Sequence, residues 1–173
     1  KIIVYKLSAK KLIFSYLQLK EVVNKLIQPK MKNILISNIN YTNICKYSCH
    51  FCAFSKGKTK ENLRGKPYLI DNDEIARRAD EAWSKGALEV CLQGGIHPHY
   101  DGNTYLDICK AIKNKVPEIH IHAFSPLEVT HGAHSLGLPI KEYLLILKEA
   151  GLSTMPGTAA EILDDDIRAN ICP

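Results

Sequence analysis

The apolar positions of this chain change period several times, and each change marks an element. Between Ser8 and Gln28 they fall at Leu12, Tyr16, Leu19, Val23 and Leu26, the 4-3-4-3 spacing of one helix face. Pro29 ends that pattern. "ILISNI" (34–39) then reads as a strand that runs into a cysteine-rich loop. Beyond the loop, Asp71 or Asp73 caps a helix whose buried face is Ile75, Ala79, Ala82 and Trp83, and Gly86 stops it. "LEVCL" (88–92) is a short buried strand ending at Gly94-Gly95. Residues 104–114 are helical, and "EIHIHAF" (118–124) is the next strand. "SPLE" (125–128) has Ser at the cap, Pro at the first helical position and Glu three after the cap, a capping box. Residues 140–151 form a helix with a glycine stop, "STMPG" (153–157) reads as a fourth strand end, and a further helix begins at Asp164.

This β-α-β-α-β-α-β-α order predicts an α/β fold with a parallel sheet and helical crossovers outside it. An N-terminal amphipathic helical segment (1–30) precedes one core domain (31–173), with no linker or low-complexity tract between elements. Four strands are too few to close a barrel of this kind, so the pattern predicts more strands beyond Pro173. The start at lysine rather than methionine likewise predicts sequence before residue 1.

Composition narrows the class. Of 173 residues, 46% are hydrophobic and 24% charged, as in a soluble globular protein. No run approaches the roughly 18 apolar residues of a membrane span, and "LIFSYLQL" (12–19) lacks a following cleavage site, so no membrane and a cytoplasmic location are expected. The net charge of +5 hides an asymmetry: residues 1–66 carry fourteen Lys/Arg against two acids, and residues 67–173 nine against sixteen. The lysines lie along an amphipathic pattern without interleaved aromatics, which reads as a solvated helix face rather than a nucleic-acid surface.

In a reducing compartment, clustered cysteines point to metal ligation before disulfides. Cys45, Cys49 and Cys52 fall inside eight residues. A structural zinc site needs a fourth ligand, and His50 directly follows Cys49, where its side chain points away from that thiolate's metal. A ferredoxin-type cluster also needs four cysteines. Cys91 and Cys109 read as small core hydrophobes, and Cys172 stands at the very end. The third possibility is an iron–sulfur cluster held by three thiolates with one iron left open.

The C-x3-C-x2-C spacing, with aromatic Phe51 just before Cys52, resembles the radical S-adenosylmethionine (SAM) enzymes. The resemblance implies a partial (βα)6, TIM-like barrel of which the first four βα units are present. It implies one [4Fe-4S] cluster on Cys45, Cys49 and Cys52, with SAM on the open iron and a ferredoxin or flavodoxin as electron donor. One electron would cleave the S–C5′ bond of SAM, giving a hydrogen-abstracting adenosyl radical. The protein's part is to position and shield that chemistry. Phe51 would lie against the adenine, Gly94-Gly95 would offer backbone groups to the SAM amino group, and Ser125 would add a contact. Ile96 stands where the family usually has an acid, which leaves that contact to main chain.

"NINYTNICKYSCHFCAFSKG", "EVCLQGGIHP", "IHIHAFSPLEV" and "GLSTMPGTAAEILDDDIRANICP" further resemble the tyrosine-using branch of the FO synthase family. Two menaquinone-pathway families, aminofutalosine synthase and dehypoxanthine futalosine cyclase, share the cysteine loop and the "FSP" turn. "PGTAAEIL" favours the tyrosine branch. That resemblance implies cleavage of L-tyrosine and transfer of its 4-hydroxybenzyl group to C5 of 5-amino-6-(D-ribitylamino)uracil, with a second subunit closing the deazaflavin ring. Substrate candidates are His97, His122, Glu128 and Glu161, at or just beyond C-terminal strand ends, where parallel β/α folds place chemistry. Ser125 and Glu128 serve equally as a capping box. His120 and His122 alternate with Ile119 and Ile121, so the histidines face inward if the isoleucines pack on helices. His131 and His134 read as surface residues.

Overall fold

A computed structural model describes residues 35–47, 49, 52, 66–157 and 164–171. They fall within one compact unit that begins at Leu35, and the amphipathic segment 1–30 lies outside them. Three parallel strands, β1 (Leu35–Thr42), β2 (Ala87–Gly94) and β3 (His120–Ala123), lie side by side in that order. Helix α1 (Asn72–Ser84) connects the first pair and α2 (Gly102–Lys115) the second.

The fourth expected strand is present as a single parallel bridge between His122 and Thr154. Thr154 N–H and Ser153 N–H both donate to Ile121 O, and Ala123 N–H donates to Thr154 O, at 3.0–3.1 Å. The connection to it holds two helices, α3 (Pro126–Ser135) and α4 (Ile140–Glu149), where a simple alternation predicts one. A last helix, α5 (Asp165–Ile171), begins where the sequence places it.

The elements form for local reasons. Asp71, not Asp73, caps α1 by accepting from Glu74 N at 2.8 Å. Helix α2 starts two residues before Thr104 because Asp101 accepts from Thr104 N–H at 3.0 Å, and the Thr104 hydroxyl reaches back to Asp101. The capping box of α3 is present with Pro126 at its first turn. Gly86 ends the first βα unit at φ +91°, where a side chain would be strained.

Strand alternation then sorts the two faces of the sheet. Ile39, Tyr41, Val90, Leu92, Ile121 and Ala123 point to the helical layer and join Ile75, Ala79, Ile108, Ile112 and Leu147 in one core. Ile119 and Ile121 are fully buried there, so the histidines between and after them face the other way. Ile121→Ala should therefore cost about 2–5 kcal/mol, whereas Leu145→Ala, on the exposed side of α4, should stay within about 0.5 kcal/mol. Urea melts of the two variants measure the contrast.

Candidate functional site

The site is built where β1 ends. Thr42 Oγ1 donates to Tyr68 O at 2.8 Å and accepts from Ile44 N–H at 3.1 Å. Asn43 pairs through Nδ2 with Lys66 O and through Oδ1 with Tyr68 N–H. Ile70 N–H donates to Tyr41 O at 3.0 Å, and Thr42 forms an antiparallel bridge with Leu69. The chain thus leaves β1, makes the cysteine loop, and returns to be clamped on the strand it left. This clamp by residues 66–70 carries no sequence signal of its own.

The end of β2 meets the start of the loop. Gly95 N–H donates to Thr42 O at 3.0 Å, Lys46 N–H to Ile96 O at 2.8 Å, and Ile96 N–H to Cys45 Sγ at 3.3 Å. A Cβ on Gly95 would lie 2.2 Å from Ile44 O and 2.9 Å from Cys45 Cβ, and one on Gly94 would lie 2.2 Å from the Tyr41 ring. Both glycines are required by close approach. The Gly95 N–H, one of the backbone groups expected to face a ligand, is engaged by Thr42.

Cys45, Cys49 and Cys52 are all half-buried, and Cys52 N–H donates to Cys49 O at 3.3 Å, a tight turn between the last two thiols. The remaining described cysteines stand apart. Cys109 is fully buried among apolar side chains, and burial pushes its thiol up to about 12. Cys91 is buried as expected, on the inner face of the sheet, in register between Asn38 and His122, with the Gln93 amide 3.7 Å from its sulfur. Cys172, Phe51 and Glu161 lie outside the described residues. Among the described residues, no three His, Cys, Asp or Glu side chains gather around a single-ion position.

Behind the loop sits a buried polar pair that the sequence hides. Tyr41 and Glu128 are both buried, and the Tyr41 hydroxyl donates to Glu128 Oε1. Glu128 Oε2 accepts from Ser125 N–H at 2.6 Å, and Ser125 Oγ accepts from Glu128 N–H at 3.3 Å. Ser125 and Glu128 thus complete the capping box, and the carboxylate also ties α3 to β1. Burial pushes the Glu128 carboxyl up, against the hydrogen bonds from Tyr41 and Ser125 that pull it down. Burial first, and then the Glu128 charge, hold the Tyr41 phenol well above its ordinary value, so it stays a donor.

The other histidines divide. His97 is nearly buried, accepts from His99 N–H through Nδ1 at 3.2 Å, and packs on Tyr100. Burial first, and then His99, lower its pKa. His131, half-exposed, accepts from Lys46 Nζ at 3.2 Å through Nδ1 and donates from Nε2 to Tyr100 O at 2.9 Å, so α3 also holds the cysteine loop. His122 lies on the inner face beside Thr154.

The profile of the radical SAM superfamily matches residues 39–173. The chain belongs to that superfamily. Membership implies a [4Fe-4S] cluster and SAM as cofactors, and the donor set fits: one loop supplies three thiols, and the described cysteines outside it are withdrawn. The chain is 55% identical over 139 residues to the 5-amino-6-(D-ribitylamino)uracil–L-tyrosine 4-hydroxyphenyl transferase of Methanocaldococcus jannaschii, covering 79% of this chain and 38% of that one. It is 51% identical over 136 residues to the transferase of the same name from Methanothermobacter thermautotrophicus, covering 79% and 36%. It is 52% identical over 135 residues to the FO synthase of Streptomyces coelicolor, covering 78% and 15%. The chain therefore spans well under half the length of these relatives. The X-ray structure of the FeFe-hydrogenase maturase HydG from Carboxydothermus hydrogenoformans superposes with TM-score 0.59 at 18% identity, over 91% of this chain and 33% of that one. A second HydG structure gives 0.60 at 13% identity, over 97% and 34%. These two bear out the partial TIM-like barrel. No helix among the described residues is long and apolar enough to cross a membrane.

Two outcomes follow from this geometry. Cys45→Ala, Cys49→Ala and Cys52→Ala should each abolish a stable iron–sulfur cluster after anaerobic reconstitution, while Cys109→Ala keeps it; iron and sulfide analysis measures this. Glu128 has a raised carboxyl pKa in the folded state, so its contribution to stability is full below the unfolded carboxylate value and is lost as pH rises through the folded one. Glu128→Gln should flatten the pH dependence of stability over that window, read from denaturation midpoints across the acid-to-neutral range.

Proposed function

We propose that this chain carries the cluster-bearing part of a radical SAM transferase. In this reading it cleaves L-tyrosine and transfers the 4-hydroxybenzyl group to 5-amino-6-(D-ribitylamino)uracil. The 55% identity to a transferase named for those two substrates carries the reading. The cysteine loop at the C-terminal end of a parallel sheet supports it.

Cys45, Cys49 and Cys52 would hold the cluster. When bound, cluster and SAM supply hydrogen-abstracting radical chemistry that no side chain provides. The chain's own residues position and enclose. The Ile96 N–H bond to Cys45 Sγ and the packing of Gly95 under the loop fix the first thiolate. The Lys46–His131 contact and the clamp by residues 66–70 hold the loop from its other sides. Substrates would lie on the inner face of the sheet, where Asn38, Asn40, Gln93 and His122 present polar groups. Phe51 and Glu161 remain proposed contacts to SAM and substrate. A cytoplasmic setting, a ferredoxin- or flavodoxin-type electron donor and a second, ring-closing subunit belong to the same reading.

Anaerobic incubation of the full-length, cluster-loaded protein with SAM, a reductant, L-tyrosine and the ribityl-diaminouracil tests it. The expected result is a coupled product that depends on both substrates and is lost with Cys49→Ala. A product formed only from futalosine-pathway precursors overturns the reading.

A further inference from the structure

On the inner face of the sheet, one hydroxyl joins two histidines. His120 Nε2 lies 2.8 Å from Thr154 Oγ1, and His122 Nδ1 lies 2.6 Å from the same oxygen. Thr154 is held there by main chain, through its N–H to Ile121 O and its carbonyl to Ala123 N–H. A threonine hydroxyl has one proton and two lone pairs, so it can donate to only one of the two histidines, and it accepts from the other or from both. Glu89 decides which. Its Oε2 lies 3.6 Å from His120 Nε2, the nitrogen that also faces Thr154. A bare lone pair on that nitrogen would face a carboxylate, whereas an N–H presents its positive end to both oxygens.

With His120 Nε2–H turned to Thr154 Oγ1, the hydroxyl proton has no acceptor other than His122 Nδ1 among the described residues, and that orders the chain. His120 Nε2–H donates to Thr154 Oγ1, and the Thr154 hydroxyl donates to His122 Nδ1. A neutral His122 must carry its proton on Nε2. Among the described residues no hydrogen bond engages that nitrogen, and its neighbours in register are Cys91 and Asn38.

We propose that His122 is a hydrogen-bond donor of fixed tautomer for an acceptor oxygen of a ligand bound on the inner face, with Thr154, His120 and Glu89 as the positioning residues that set the tautomer. The choice of ligand rests on the transferase reading above; the tautomer does not. Two sources offer such an oxygen, the carboxylate of L-tyrosine and a ring carbonyl of the ribityl-diaminouracil. A donor whose proton position is set in advance loses less on binding than one that must reorganise.

Nuclear magnetic resonance of histidine labelled in its ring nitrogens reads the tautomer directly in the full-length, cluster-free protein. The expected result is His122 as the Nε2–H tautomer alone in wild type and in Thr154→Ser, and a mixture in Thr154→Val. Should the valine variant not fold, Glu89→Gln serves, because it removes the charge that orders the chain and should also give a mixture. An Nδ1–H tautomer in wild type, or a wild-type signature in the folded valine or glutamine variant, overturns the proposal. Calorimetry then reads the donor: His122→Phe should weaken one of the two ligands about tenfold, the size of a hydrogen bond to a charged or strongly polar acceptor. Loss for L-tyrosine but not for tyramine, which lacks the carboxylate, assigns the amino acid; loss for the diaminouracil assigns the ring carbonyl. Unchanged affinity for both overturns the donor role. Failure of wild type to bind either ligand sinks the transferase reading and the donor role with it, while the tautomer still decides the hydrogen-bond chain.

Discussion

The backbone contact between two strand ends organises the rest of the site. Gly94-Gly95 at the end of β2 lies directly under Tyr41 and Ile44–Cys45 at the end of β1, at distances that no Cβ could share. Because the approach is that close, three main-chain groups of the second turn reach the first: Gly95 N–H to Thr42, Ile96 O to Lys46, and Ile96 N–H to the Cys45 thiol. A cysteine loop with no partner would pay the entropy of its own ordering. Here the sheet supplies the order, since β1 and β2 are already in unbroken register through five residue pairs, Ile36 to Asn40, before the turns begin.

That arrangement explains why the sheet is so differently clothed on its two faces. Toward the helices, every strand contributes branched or aromatic side chains to one apolar core. Toward the interior, the same strands contribute Asn38, Asn40, Glu89, Gln93, His120 and His122. A face that served only stability would be apolar, as the helical face is. The partners found here are mutual: glutamine with cysteine, glutamate with His120, and both histidines with threonine. They leave hydrogen-bonding capacity directed at whatever lies inside.

Periodicity, caps and glycine stops made the βα units legible, because those signals are local. Both histidines on β3 could be placed correctly from alternation with Ile119 and Ile121. What escaped is what depends on long sequence separation. Tyr41 and Glu128 are 87 residues apart, and Lys46 and His131 are 85 apart. Nothing in the neighbourhood of either residue announces its partner. Cys91 is buried, as a thiol in an apolar run suggests, and the alternation of the strand puts it on the face opposite Val90 and Leu92. The reduction of the fourth strand to one bridge is not legible either, since "STMPG" has the composition of a strand end but pairs only at Thr154.

Phe124, the residue after β3, has φ +61°, a left-handed conformation that costs a bulky residue about 1–3 kcal/mol. Its ring is fully buried and packs edge-on against Tyr41 and Tyr105, with centroids 6.5 and 5.0 Å away. The aromatic burial offsets the strain, at about 25 cal/mol for each Å² of apolar surface removed from water. The sharp turn has a consequence that a relaxed one would lack. It delivers Ser125 N–H to Glu128 Oε2 two residues beyond the strand, and so brings the start of α3 over the end of β1, where Glu128 meets Tyr41. Strain at Phe124, the capping box and the buried tyrosine–glutamate pair are therefore one device. It sets where α3 begins, and with it where His131 grips the cysteine loop through Lys46.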